Sequence, residues 1–273
     1  AGVSAKNVTL GVPRLAELIN VAQNIKTPSL TIYLQPEIAL DQNKAKDVLN
    51  KLEFCRLKDI VAKTQIYYDP NIQESVVEED REFLEYFFDF PDQEMVGVIS
   101  RASPWMLRIE LDRTKKEDKA IQNHFVADKI NEIWKDDLKC LFSNDNAENL
   151  VLQIRLMKND GDMDAGEGNV DDEDAGDGED TFLRRLEDKL LNEVELRGIP
   201  GIQKVFMRQE DQGAWDSITG VWSPKANKEW VLDTEGSALL EVMAVEEVDD
   251  CRTKSNHIVH IFEILGIEAA RQA

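Results

Sequence analysis

SPWMLRIELDR, Ser103 to Arg113, is the stretch on which the fold turns. Trp105, Leu107, Ile109 and Leu111 alternate with Met106, Arg108 and Glu110. A period of two puts each set on one face of a strand, so this is read as a half-buried strand. Downstream, NHFVADKINEIW (123–134) carries Phe125, Val126, Ile130, Ile133 and Trp134 on one side of a helix. LKCLFS (138–143) is a short strand, NDNAEN (144–149) a turn, and LVLQIRLM (150–157) another strand. A helix TFLRRLEDKLLNEV (181–194) follows, with Thr181 as its cap and Phe182, Leu186, Leu190 and Val194 as its apolar stripe. RGIPGI breaks it, and IQKVFMR (202–208) reads as a strand. The order β-α-β, β-α-β predicts an α+β fold, an antiparallel sheet in the split β-α-β, ferredoxin-like arrangement, with flanking helices.

Upstream, Leu57 to Asp69 (LKDIVAKTQIYYD) is a strand region closed by Asp69-Pro70-Asn71. In EEDREFLEYFFDF (78–90), Phe83, Leu84, Phe87 and Phe88 suit a short amphipathic helix. Nearer the start, Pro13 opens a helix at a position where its missing N–H is not needed. Leu15, Leu18, Ile19 and Ala22 form one apolar face, and Lys26-Thr27-Pro28 ends the helix. SLTIYL (29–34) is a strand, and Asp41 caps a second helix with Ala45, Val48, Leu49 and Leu52 inside. After Gln209 the text is loop-rich until the strand EWVLDTEG (229–236). SALLEVMAV (237–245) and SNHIVHIFEILGIEAARQA (255–273) then read as helices.

The chain has 273 residues and a net charge of -22. Roughly half of that excess sits in the run Asn159–Asp180, which contains no Lys or Arg. The run lacks the frame of a calcium loop and is read as a disordered insertion, 159–180, between the third strand and the second helix. A freely diffusing nucleic-acid binder carries a basic footprint, and this chain as a whole does not. Cys55, Cys140 and Cys251 are scattered, with no CxxC pair, which fits buried thiols in a reducing compartment. No apolar run reaches the length that spans a bilayer, so no membrane partner is expected.

No GxGxxG, P-loop, GxSxG or HExxH occurs. His257 and His260 lie three apart near Asp249, Asp250 and Cys251, but spacing places no third or fourth ligand beside them, so no metal site is expected. Ala1-Gly2 and the closing GIEAARQA both look like cuts, and the chain is expected to be a segment of a longer polypeptide. From the residues alone, the expectation is an interaction module or a part of a larger machine, with no active site of its own.

The opening stretch AGVSAKNVTLGVPRLAELINVAQNIKTPSLTIYL closely resembles the largest subunit of eukaryotic DNA-directed RNA polymerase II. IYYDP (66–70), SPWMLRIELDR, DDLKCLFSNDNAENLVLQIR (136–155), EWVLDTEG and SNHIVHIFEILGIEAARQA extend that resemblance over essentially the whole chain. It implies that residues 1–55 are the C-terminal arm of the trigger loop and a cleft segment, 56–230 a jaw domain, and 231–273 a helical return to the cleft. It further implies RNA synthesis on a DNA template, in the nucleus. Magnesium would serve the parent enzyme, with its ligands outside this segment. Implied partners are the other polymerase subunits, including a small zinc-ribbon subunit, together with downstream DNA and transcript-cleavage or elongation factors. No catalytic residue is carried over.

A lid that folds over substrate and reopens needs nearly balanced conformations. Gly2 and the β-branched Val3, Val8 and Thr9 do not strongly favour helix. The arm or hinge residues expected from the resemblance are Ala1, Gly2, Val3, Ser4, Lys6, Asn7, Thr9, Gly11 and Pro13. Ala1 to Leu10 would move and Pro13 onward would be the anchor. Lys6 and Arg14 are the local cations and the candidates for proximity to nucleic acid. The alternative from another class is a non-catalytic α+β interaction module of a larger nuclear assembly.

Overall fold

In the computed structural model, which describes residues 7–70, 75–81, 84–85, 102–135, 137–157, 172–216 and 220–272, the chain divides into two units. One is discontinuous, Ala1–Cys55 with Arg197–Ala273; the other, Arg56–Leu196, is inserted within it.

The discontinuous unit begins with α1 (Val12–Ile19), β1 (Leu30–Leu34), α2 (Pro36–Ala39) and α3 (Gln42–Leu52). Asp41 caps α3 as expected, its carboxylate accepting from the Asn43 N–H at 2.9 Å. β2 (Cys55–Arg56) leads into the inserted unit, which runs through α4 (Leu57–Ile60), β3 (Val61–Tyr68), a single 3-10 turn (Glu78–Asp80) and β4 (Ala102–Leu111). It continues with α5 (Arg113–Asp118), α6 (Asn123–Trp134), β5 (Leu138–Phe142), β6 (Val151–Met157), α7 (Asp172–Glu193) and β7 (Glu195–Arg197), where the chain returns.

The sheet of the inserted unit has the order β3-β4-β6-β5, antiparallel throughout. The predicted α+β class and antiparallel sheet are therefore observed, and β4, β5 and β6 take the places expected of a split β-α-β sheet. The fourth place differs. It belongs to β3, whose Ile66 and Thr64 pair with Leu107 and Ile109 of β4, and not to IQKVFMR. That later segment is claimed instead by its own sequence neighbour in a long hairpin. Consecutive strands pair readily because little chain must be ordered to join them.

Alternation sorts the sheet into two faces. Ile66, Leu107, Ile109, Leu152, Ile154 and Cys140 share one, and α6 and α7 pack on the sheet with Val126, Ile130, Leu183, Leu186 and Leu190 buried. The other carries Met106, Arg108, Gln153 and Arg155, and these are buried as well. β4 is thus covered on both faces, not half-buried as its pattern suggested, because ion pairs close the polar side.

Past the insertion come β8 (Ile202–Asp216), β9 (Val221–Gly236), α8 (Leu239–Met243), β10 (Val248–Ser255), α9 (Ile258–Leu265) and α10 (Ile267–Gln272). The discontinuous unit's sheet has the order β10-β1-β9-β8. Leu30, Ile32 and Leu34 of β1 meet Leu232, Val205 and Val248 in a core closed by Ala45, Val48 and Leu52 of α3, Leu239 and Val242 of α8, and Ile261 of α9. Gly236 sits at φ 106°, and a Cβ there would lie 1.9 Å from the Gly201 carbonyl oxygen, so only glycine fits.

Several expectations change here. The supposed loop after Gln209 is the far end of the β8–β9 hairpin, and β10 was not foreseen. The terminal helix is two helices, divided at Gly266 with φ 88°. The second unit ends at Leu196, so the expected boundary near 230 falls inside β9, which pairs with β1. α7 starts at Asp172, nine residues before the Thr181 cap, so the end of the acidic run is helical. Most of Asn159–Asp180 and of Glu78–Phe90 lies outside the described residues. Among the described residues, no helix is long and apolar enough to cross a membrane.

Candidate functional site

Of the expected arm residues, Ala1, Gly2, Val3, Ser4 and Lys6 lie outside the described residues. Asn7, Thr9, Gly11, Pro13 and Arg14 are described, and they lead into α1. Gly11 is the residue before the helix and has φ 73°; no atom would meet a Cβ there, so it is the backbone angle that calls for glycine. Pro13 occupies the first turn, and the Leu15 N–H reaches back to the Gly11 carbonyl at 3.1 Å.

α1 stops at Ile19, well before Pro28. Its end is a Schellman motif: Ala22 N–H to Glu17 O at 3.0 Å and Val21 N–H to Leu18 O at 3.2 Å. The residue in the left-handed position is Val21, φ 47°, where glycine is usual. A β-branched residue in that region is strained, and no glycine marked the stop in the sequence.

The apolar face expected of α1 is not in the core. Val12, Leu15 and Ile19 are exposed, and no residue of the helix is buried. The half-buried side carries Arg14 and Glu17 beside Leu18, and a few directional ties hold it. Thr9 donates its N–H to the Thr27 hydroxyl at 2.9 Å, and the two hydroxyls lie 2.8 Å apart. Arg14 pairs with Glu17 at 3.2 Å and donates to the Asn256 carbonyl. His257, buried at the N-terminus of α9, places Nε2 2.9 Å from the Gln23 carbonyl. That acceptor requires the proton on Nε2, which leaves Nδ1 free to cap the helix by accepting from the His260 N–H at 3.4 Å. The two imidazoles stack at 3.8 Å with an interplanar angle of 6°, and His260 Nδ1 lies 3.1 Å from the Ser237 hydroxyl.

Burial pushes the His257 pKa below its ordinary value, helped by the charge of His260 and, more weakly, of Arg14; the Gln23 carbonyl opposes this. The neutral ring is the one that both caps and ties. Hydrogen bonds of this kind contribute about 1 kcal/mol each, against about 2–5 kcal/mol for a large core side chain. α1 is therefore held in place by polar contacts whose total is small enough to be rearranged. Arg14 is committed to Glu17 and Asn256, while Asn256, His257, Gln23 and Thr27 belong to the site without having been singled out for it. Only the His257/His260 spacing hinted at them.

The polar face of the inserted unit offers a second site, a cleft of about 430 Å³ lined by Lys63, Tyr67, Glu78, Glu79, Arg108 and Glu110 among others. Its floor is built from charges. Arg108 forks onto Asp80 through Nε at 2.9 Å and Nη2 at 3.0 Å, and Gln153 donates to the same carboxylate at 2.7 Å. Arg155 reaches Asp69 at 2.7 Å. Burial works to lower the pKa of both guanidiniums. For Arg155 it prevails, whereas for Arg108 the Asp80 carboxylate, with Glu110 and Glu79, reverses it. Both arginines are committed to buried aspartates, which leaves Lys63 as the cation of the cleft lining among the described residues.

Asp249, Asp250 and the Cys251 thiol come within 4.8 Å of one another on β10, and the histidine pair is not part of that group. Cys251 is exposed, and its hydrogen bond to Asp250 and the carboxylate charges raise its pKa, which opposes a thiolate ligand. A donor set of two carboxylates and a thiol does not fit magnesium, which requires oxygen ligands in near-octahedral geometry. Cys55 and Cys140 are buried, and burial pushes Cys140 up to about 12.

Residues 55–197 match the family model described as RNA polymerase Rpb1, domain 7. The matched span is more than half of the chain. Its limits differ by one residue at each end from those of the inserted unit, Arg56–Leu196.

Proposed function

Because the chain belongs to the Rpb1 family, the largest subunits of DNA-directed RNA polymerases, we propose that it is the trigger-loop arm, cleft and jaw segment of an RNA polymerase II. A family member works with other polymerase subunits in a nucleotidyl-transferring complex. On the proposed reading, Ala1 to Leu10 is the trailing arm of the trigger loop, which closes over a matched nucleotide and reopens. The inserted unit is the jaw beside downstream DNA, reached by a small zinc-ribbon subunit and by transcript-cleavage or elongation factors. Magnesium is held by residues of the parent enzyme outside this segment, and the enzyme acts in the nucleus.

The observation that carries the reading is the seat of α1. A segment ending in a moving arm needs a base that is fixed in direction yet adjustable at low energy. Gly11 supplies the bend, Pro13 starts a rigid helix, and polar ties in place of core packing hold that helix. The polymerase II assignment rests on AGVSAKNVTLGVPRL.

The test is Gly2→Pro and Pro13→Gly in the complete polymerase. Proline fixes a backbone angle and removes an N–H in the arm, and glycine loosens its base. Both should change elongation rate and misincorporation, by about tenfold for Gly2→Pro if roughly 1.4 kcal/mol of closure free energy is lost. Wild-type pausing and fidelity in both variants would sink the proposal.

A further inference from the structure

We infer that the six-residue segment Ser255–His260 is a clasp that sets the direction of the arm, with Asn256 and His257 as its positioning residues. This rests on the trigger-loop reading above and adds to it a part of the chain more than 200 positions away.

Asn256 contacts the segment before β1 with every polar group it has. Its Nδ2 donates to the Thr27 carbonyl at 2.8 Å, and its Oδ1 accepts from the Ser29 N–H at 2.8 Å. Its own N–H donates to the Ser29 carbonyl at 3.1 Å, and its carbonyl takes the Arg14 guanidinium. A side-chain amide is suited to this because it offers a donor and an acceptor side by side, as a peptide group does. Aspartate would set an acceptor against the Thr27 carbonyl, and alanine would leave both main-chain groups without these partners. One residue later, His257 holds the Gln23 carbonyl, and the stacked His260 reaches the Ser237 hydroxyl.

The contacts fall at three points of one path: α1 through Arg14, the loop after it through Gln23, and the strand approach through Thr27 and Ser29. That path joins the arm to β1. No residue of α1 is buried and none belongs to the core, so core packing does not fix its direction. The core includes Ile261 but neither Asn256 nor His257, so a clasp can be loosened without opening the core. A merely structural loop would not need to grip a helix that contributes nothing to the interior.

The experiment uses the complete polymerase carrying Asn256→Ala, Asn256→Asp or His257→Asn, with single-nucleotide addition followed by rapid quench. Asparagine at 257 keeps an N-cap for α9 but is too short to hold the Gln23 carbonyl, which separates capping from positioning. The expected result is a change of about three- to tenfold in the maximal rate of matched addition and in discrimination against mismatched nucleotide. That range is what the loss of one or two hydrogen bonds from a conformational step produces. The apparent nucleotide affinity should change by less than about twofold, since the clasp acts on closure. If Asn256→Ala does not assemble, His257→Asn carries the test alone.

Rates and discrimination within twofold of wild type in the assembled variants overturn the clasp. Gly2→Pro in the same assay tells the two failures apart. If it alters the rate while the clasp variants do not, the clasp is wrong and the arm reading stands. If it also leaves the rate unchanged, the arm reading fails and takes the clasp with it.

Discussion

The two units keep their sheets in opposite ways. In the discontinuous unit the sheet is apolar on its covered side and is made from chain ends that are distant in sequence, β1 with β8, β9 and β10. In the inserted unit the strands are nearer in sequence, and one face is closed by aspartate–arginine pairs. One unit therefore depends on long-range apolar closure and glycine-only contacts, the other on compensated buried charge. The failures expected of them differ accordingly.

The largest effect should come from Gly236→Ala. The added methyl would meet the Gly201 carbonyl at 1.9 Å in a left-handed backbone, so the strand pair must shift. We expect a loss of about 5 kcal/mol or outright misfolding of the discontinuous unit. Segment-resolved hydrogen exchange should show protection lost in β1, β8, β9 and β10 but retained in β4 and β6. Equal loss in both units would break the comparison.

Next is Asp80→Ala, which leaves the buried Arg108 guanidinium without its main partner. A cost of about 3–5 kcal/mol is expected, confined to the inserted unit and measured by denaturant unfolding. Pairing Asp80→Leu with Arg108→Met should recover most of it. A double variant no better than the single one would mean that the pair's geometry, and not charge compensation, holds that face.

The smallest effect is a dependence on pH. The folded pKa of His257 is depressed, so between that value and the ordinary 6.5 the unfolded chain binds more protons than the folded one. Stability of the seat is therefore full above pH 6.5 and declines as pH falls through the lowered native value. The charged or titratable groups facing the ring are His260 on its own helix and Arg14 on α1, the latter paired with Glu17. Protection factors, the exchange rates taken relative to the intrinsic rate at each pH, should fall at the N-terminal turn of α9 and around Gln23 on acidification before those of β4. A flat profile, or protection lost first in β4, would place the sensitivity elsewhere.

What could be read in advance follows the same division. β4, β5, β6 and α6 announced themselves because each is contiguous and strongly periodic. The fourth strand of that sheet was misassigned because β3 and IQKVFMR are equally strand-like, and pairing is settled by neighbours that periodicity does not show. β10 was missed because VDDCRTKS has little apolar alternation; it is an edge strand, largely exposed, whose ladder to β1 is main-chain bonding. The seat was half legible. Gly11 and Pro13 carry their conformations in their chemistry. Val21 adopts an angle its type disfavours, and Asn256 acts across more than 200 residues, which no local pattern encodes.

The insertion also has a consequence in time. The exit and return of the chain lie side by side, with Phe54 N–H on the Ile202 carbonyl and Ile199 N–H on the Leu52 carbonyl. β1, however, pairs with residues 231–233. At about 5–20 residues per second, roughly 10–40 s of synthesis separate the two strands on the ribosome. During that interval the inserted unit can be completed while Leu30, Ile32 and Leu34 have no sheet to join. The order of birth makes the apolar strand at the start the segment most in need of a holding chaperone.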